Sequence, residues 1–195
     1  MKAKTYTIIG YLFILSSFIW GGYNIYSDVH ASNIAQEVTK ELEQNVENNQ
    51  EDWNDVYIDI PLMEMPVIEI NGRLYVGTLE IPKFKLSLPI LNESNQSNLK
   101  IAPCRYHGSI YTNDMVIAAH NYRSHFSKIS KLVQNDQIKF TDMDGNEFIY
   151  EVIGLEVLKP TDVELMIHSE YDLTLYTCTV GGANRIAVRC NLIKK

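Results

Sequence analysis

Charge is missing from the start of this chain: between Thr5 and Ser27 there is no Asp, Glu, Lys or Arg. The centre of that run, Ile8-Ile9-Gly10-Tyr11-Leu12-Phe13-Ile14-Leu15, is strongly apolar, and about 20 such residues of helix cross a bilayer. Lys2 and Lys4 precede the run and Asp28 follows it, the bias that leaves an amino terminus in the cytoplasm and exports the rest. Trp20, Tyr23 and Tyr26 suit the outer interfacial belt. The competing reading is a cleaved signal peptide ending near Val29-His30-Ala31, whose apolar core would be unusually long. Export follows from either.

Excess basic charge is lacking too. Lys and Arg number 17 against 24 Asp and Glu, a net charge of -7, which excludes binding along a phosphate backbone as the main task, so no nucleic-acid partner is expected. Cysteine is scarce: three residues and no CxxC pair exclude a zinc cage and a dense disulfide framework. An odd count leaves at least one thiol unpaired. In an oxidising compartment Cys104 and Cys190 are the pair that would leave Cys178 free.

What remains is enough for one domain with appendages, at 195 residues, 46% of them hydrophobic. Residues 1–27 read as a membrane anchor with a short cytoplasmic end, 28–60 as an acidic helical stalk, and 61–195 as the domain. Acids crowd the stalk (Asp28, Glu37, Glu41, Glu43, Glu47, Glu51, Asp52, Asp55, Asp59) against Lys40 alone, so the chain's negative charge belongs there. Ile34, Val38, Leu42 and Val46 recur every four residues, a narrow stripe expected on a solvated spacer helix that ends at Asn48-Asn49-Gln50.

Beyond Pro61 the period changes to that of strands. Val67 to Ile70 meets Arg73 to Ile81 through Asn71-Gly72, a tight-hairpin dipeptide. Leu86 to Leu91, Met115 to Ala119, Gln137 to Thr141 and Glu147 to Leu158 follow, with Asp144-Gly145 turning the last two. A helix is expected from Ser124 to Val133, a loop or brief helix over Asn92 to Leu99, and a loop over Pro160 to Tyr171. Many short strands with turn signals predict a mainly-β barrel or sandwich with one or two short helices.

Chemistry concentrates in Asp172 to Cys190, DLTLYTCTVGGANRIAVRC. Leu173, Leu175 and Thr177 alternate with Thr174, Tyr176 and Cys178 until Gly181-Gly182-Ala183-Asn184 ends the strand, so Cys178 sits at a strand's mouth. In the next strand Arg185, Ala187 and Arg189 share one face. If the two strands pair, Arg185 lies near Cys178, where a guanidinium can stabilise the oxyanion that forms when a thiolate attacks a carbonyl. His120, ending the run Met115-Val116-Ile117-Ala118-Ala119, is the candidate base.

LYTC, with the arginine of RIAVR seven residues after the cysteine, resembles the sortase signature, and IAAHN resembles the segment that carries the sortase histidine. TLEIPKFKLSLPI is similar to that family's early strands, and the likeness runs from about Arg73 to Lys195. It implies an eight-stranded sortase-like β-barrel and gives Cys178, His120 and Arg185 the catalytic roles. It further implies a cysteine transpeptidase of Gram-positive bacteria that acts on surface proteins with an LPXTG-like sorting signal and passes them to a cell-wall amine or a pilin.

Rival assignments are a thiol hydrolase using the same residues and a β-domain that binds a wall component without chemistry. Cys104, beside Arg105 and His107, is the competing nucleophile, and Arg189 the alternative arginine. His107 and His125 are candidate supporting groups, with His125 placed on a helix surface; His30 and His168 are expected in solvent. No cofactor is expected. Asp162, Glu164 and Glu170 are read as solvated rather than as a calcium site. The aromatic lid motif found in some sortases has no match; Glu51-Asp52-Trp53 comes nearest and lacks its proline.

Overall fold

The computed structural model describes residues 2–49 and 64–195. Glu51-Asp52-Trp53, the end of the expected stalk and the boundary at Pro61 lie outside them.

One helix, α1 (Lys2–Asn49), runs without a break through the apolar run and the acidic segment. Nine strands follow: β1 (Ile68–Ile70), β2 (Arg73–Ile81), β3 (Leu86–Leu91), β4 (Cys104–His107), β5 (Met115–Ala119), β6 (Gln137–Asp142), β7 (Glu147–Leu158), β8 (Leu173–Cys178) and β9 (Arg185–Lys194). Two short helices, α2 (Gln96–Leu99) and α3 (Val163–Ile167), interrupt them. Neighbouring strands run β2-β3-β4-β5-β8-β9-β7-β6, and β6 pairs back onto β2. That closes an eight-stranded barrel, with β1 a short ninth strand hairpinned onto β2. The hairpin is the one that Asn71-Gly72 predicts: both residues have positive φ, 52° and 73°, as a type I′ turn requires. Closure depends on Gly77, where a Cβ would collide with the Phe140 ring across the β2–β6 seam.

Burial follows the strand period. Along β6, Ile138, Phe140 and Asp142 point inward and the residues between them outward. In β5 every residue is buried, because it pairs in parallel with β8 and both faces of that pair are covered. The interior is filled by side chains such as Leu79, Ile90, Ile117, Tyr150, Leu175 and Val188. It is a packed core rather than a channel.

Three expectations need correcting. Ser124 to Val133 is not a helix but a series of turns with one 3-10 segment at Ile129–Lys131. Burial of His125, Phe126, Ile129 and Leu132 draws this stretch into the barrel's end, and tertiary packing overrides helical propensity. The loop expected over Pro160 to Tyr171 contains α3, which its sequence does not announce because no side chain caps its start. Finally, the stripe on α1 is not solvated over Ile34, Val38 and Leu42, the part of it whose side chains are described. Ala35, Val38 and Leu42 are buried, Val38 and Leu42 against Tyr75, Leu91 and Cys104 on the outside of the barrel. Each large apolar residue so buried contributes roughly 1.5–3 kcal/mol. The apolar half is different: Phe13, Phe18 and Trp20 stand 72%, 74% and 77% exposed with no protein neighbour to cover them. That part of the helix is long and apolar enough to cross a membrane.

Candidate active site

Antiparallel pairing of β8 with β9 sets Cys178 directly opposite Arg185. The period of two puts both on the face that carries Thr174, Tyr176, Ala187 and Arg189. The parallel pair supplies the third group: Ala119 lies opposite Thr177, and His120 is the next residue after β5. Its place is therefore beside Cys178 at the same rim. Thr177 Oγ1 donates to the Ala119 carbonyl at 2.8 Å, pinning the two strand ends where the imidazole and thiol emerge. All three groups are half-buried. The structure thus gathers Cys178, His120 and Arg185 from distant parts of the chain at one end of the barrel.

Each has a distinct local setting. Burial, reinforced by the charge of Lys100, lowers the His120 pKa below the usual imidazole value, so the ring is mostly neutral at neutral pH. Arg185 Nη1 donates to the carbonyls of Gly182 and Asn184 at 3.2 and 3.1 Å, which fixes the guanidinium over the β8–β9 turn. Its Nε and Nη2 have no protein acceptor among the described residues. The turn is itself braced, with Thr179 N–H to Asn184 O at 2.9 Å and Asn184 N–H to Thr179 Oγ1 at 3.0 Å. Gly181 and Gly182 have φ of 85° and 76°, a conformation glycine adopts without strain; hence the paired glycines right after the thiol.

The competing residues are otherwise engaged. Arg189 is 3% exposed and donates to Glu156 at 2.9 Å, Thr174 Oγ1 at 2.9 Å and the Leu165 carbonyl at 2.7 Å. It tethers α3 to the sheet and has no donor to spare for an oxyanion. Cys104 is 0% exposed, its thiol donates to the Ala102 carbonyl at 3.3 Å, and burial pushes its pKa up to about 12. Cys190 is equally sealed, and burial raises its thiol as well. Cys104 and Cys190, the pair that an oxidising compartment would allow, are not joined, and all three thiols are free. In the sheet β5 and β8 separate β4 from β9, and the two cysteines belong to different clusters, one outside and one inside the barrel.

Beside Arg185 a cavity of about 130 Å³ is lined by Tyr106, Lys159, Asp162, Val163, Met166 and Tyr176, a slot of mixed polarity between the sheet and α3 next to the rim. A larger depression of about 500 Å³ lies on the other side of Tyr106. It includes none of the three rim residues, and Arg105 in its wall is bound to Asn92 at 2.6 Å. The smaller slot is the one that belongs to the site.

Sequence reasoning missed the surroundings of His120. The Tyr122 ring lies 5.0 Å from His120 and 5.4 Å from His125. His125, expected on a helix surface, is 0% exposed, and neither ring nitrogen has a hydrogen-bond partner. Nothing in the spacing of these residues signals that arrangement. Asp162 and Glu164, in the acidic loop, contact Lys159 N–H and His168.

A closed barrel that presents an accessible thiol, an imidazole and a guanidinium at one rim is a scaffold of the thiol acyl-transfer class. Residues 79–193 match the family model described as Sortase domain. This covers more than half of the chain, which therefore belongs to the sortase family of cysteine transpeptidases. Sortase A of Bacillus anthracis is 26% identical over 186 residues, 91% of this chain and 88% of that protein. Among solved structures, sortase A from Corynebacterium diphtheriae shares the fold at TM-score 0.58 and 18% identity, over 92% of this chain and 96% of that one. A Clostridium perfringens sortase D5 transpeptidase does so at TM-score 0.57 and 20% identity, over 85% and 99%.

Proposed function

We propose that this protein is a single-pass membrane sortase with a cytoplasmic amino terminus and an extracellular barrel. It cleaves an LPXTG-like carboxy-terminal sorting signal between Thr and Gly and joins the threonyl carbonyl to an amine of a cell-wall precursor or a pilin. The observation that carries this reading is the register: Cys178 faces Arg185 across β8–β9, and His120 follows the residue paired with Thr177.

In this reading Cys178 Sγ, as thiolate, adds to the threonyl carbonyl, and Arg185 stabilises the oxyanion through the nitrogens its turn leaves free. His120, as imidazolium, gives its proton to the departing glycine nitrogen, leaving a thioester and a neutral ring. The acceptor amine then attacks the thioester, neutral His120 takes its proton, and the sulfur leaves as thiolate. Both reactive groups return to their starting states without a cofactor. Because burial and Lys100 disfavour imidazolium, only a fraction of molecules is poised for the first step, and the rate should follow a bell-shaped curve in pH.

Product analysis with an LPXTG peptide, with and without an added amine, tests this. Transfer predicts an amine-dependent conjugate that Cys178→Ala abolishes. Hydrolysed peptide alone with every amine would make the protein a thiol hydrolase. Ligand binding undiminished by Cys178→Ala, with no turnover in either form, would make it a binding domain.

A further inference from the structure

The loop that carries His120 is closed on itself and held from outside by the membrane helix. Phe126 N–H donates to the His120 carbonyl at 3.4 Å, and His125 and Ser127 N–H both donate to the Tyr122 carbonyl at 3.1 Å. At the far side of this ring of backbone, Ser124 N–H donates to Asp28 Oδ1 at 3.2 Å. The Ser124 hydroxyl lies 3.0 Å from that same oxygen and 3.3 Å from the Asp28 carbonyl. Asp28 is the first charged residue after the apolar run. It stands close enough to Tyr122 and His125 for its charge to act on both, and the Tyr122 ring lies against His120.

An aspartate inside a helix gains nothing from helical propensity, and α1 makes no internal use of this one among the described residues. Its acceptor is spent on the loop instead. We infer that Asp28 is a positioning residue that holds the His120 loop in place through Ser124, so that the membrane helix is a working part of the active site and not only its anchor. The inference rests on the role proposed for His120. A loop bearing the acid and base of a transfer reaction must hold its ring to within a fraction of an ångström, and a displacement of about 1 Å costs on the order of a hundredfold in rate. A clasp two hydrogen bonds strong, acting on the far side of the loop, is expected to account for about a tenfold part of that.

The full chain in detergent or vesicles is compared with Asp28→Ala and Asp28→Asn, by amine-dependent transfer, thermal melting and the NMR signal of the His120 ring, assigned by its loss in His120→Gln. Asp28→Asn keeps an Oδ1 that can accept from Ser124; Asp28→Ala does not. The expected result is a fall of about tenfold in kcat for Asp28→Ala, with KM and the barrel's melting nearly unchanged, a displaced His120 signal, and recovery to near the original rate in Asp28→Asn. Equal kcat in all three chains would overturn the inference. So would a loss in Asp28→Ala that Asp28→Asn fails to restore, or one that follows a collapse in melting temperature. Should the unaltered chain show no turnover at all, the proposed function falls, while the His120 signal still decides the clasp: displaced in Asp28→Ala and restored in Asp28→Asn upholds it, and no change removes it.

Discussion

His120 and His125 share one loop and meet different conditions. His125 is sealed, and burial lowers its pKa from 6.5 to about 4. The folded state therefore holds it neutral while the unfolded chain protonates it more readily. Its titration leaves stability untouched above pH 6.5 and lowers it as pH falls towards 4, by a total of about 3 kcal/mol. Because neither ring nitrogen is hydrogen-bonded, His125→Leu should leave stability at pH 7.5 within about 1 kcal/mol. The same change should flatten the loss between pH 6.5 and 4, read by urea unfolding at a series of pH values. His120 is half-exposed, and in the proposed mechanism it titrates during turnover. Lys100 helps to lower its pKa, so Lys100→Met should raise it and move the acidic limb of the rate profile to higher pH; an unmoved limb would remove Lys100 from the account. Cys178, His120 and Arg185 were legible from strand ends and the family signature. Tyr122 and the burial of His125 were not, because contacts made by a loop folded on itself leave no periodic trace.

Among the elements, α3 shows why Arg185 and Arg189, alike in sequence, differ in use. Both lie on one face of β9, and period alone leaves the choice open. Position decides it: Arg185 is at the strand's open end beside the β8–β9 turn, whereas Arg189 lies deep under α3, its donors taken by Glu156, Thr174 and the Leu165 carbonyl. Arg189→Met should orphan the buried Thr174 hydroxyl and the α3 carbonyls, destabilising the fold by about 2 kcal/mol. It should also raise KM for the sorting peptide by loosening the wall of the slot at Met166; an unchanged melting temperature would contradict the tether. Strands with regular alternation or a clean apolar run were readable, as were the glycine turns at Gly72, Gly145 and Gly181-Gly182. The Ser124–Val133 helix was misread because His125, Phe126, Ile129 and Leu132 imitate helical spacing while packing through turns. β4 went unseen because Cys104–His107 is only four residues long, too short for its alternation to stand out as a strand.

For the molecule as a whole, the acidic segment is the element whose use the sequence concealed. A stripe of Val38 and Leu42 suits a solvated spacer as well as a docked helix, and only the facing surface of Tyr75, Leu91 and Cys104 distinguishes them. With α1 lying along the barrel and Asp28 clasped to Ser124, the rim that bears His120 is held near the end of the apolar run rather than lifted away from it. Leu42→Asp places a charge where the side chain is 1% exposed, and should release the carboxy-terminal half of α1. Hydrogen exchange should then quicken from Ala31 to Leu42 while β5 and β8 stay protected; equal loss of protection in the barrel would mean the helix is integral to its folding. The central claim, that Cys178 takes up a threonyl acyl group and surrenders it to an amine, is tested most directly by mass spectrometry of the full chain mixed with a sorting-signal peptide. The expected spectrum shows an adduct of the peptide's acyl portion on the fragment containing Cys178, discharged when amine is added. An adduct on Cys104 or Cys190, or none with any sorting peptide, would contradict it.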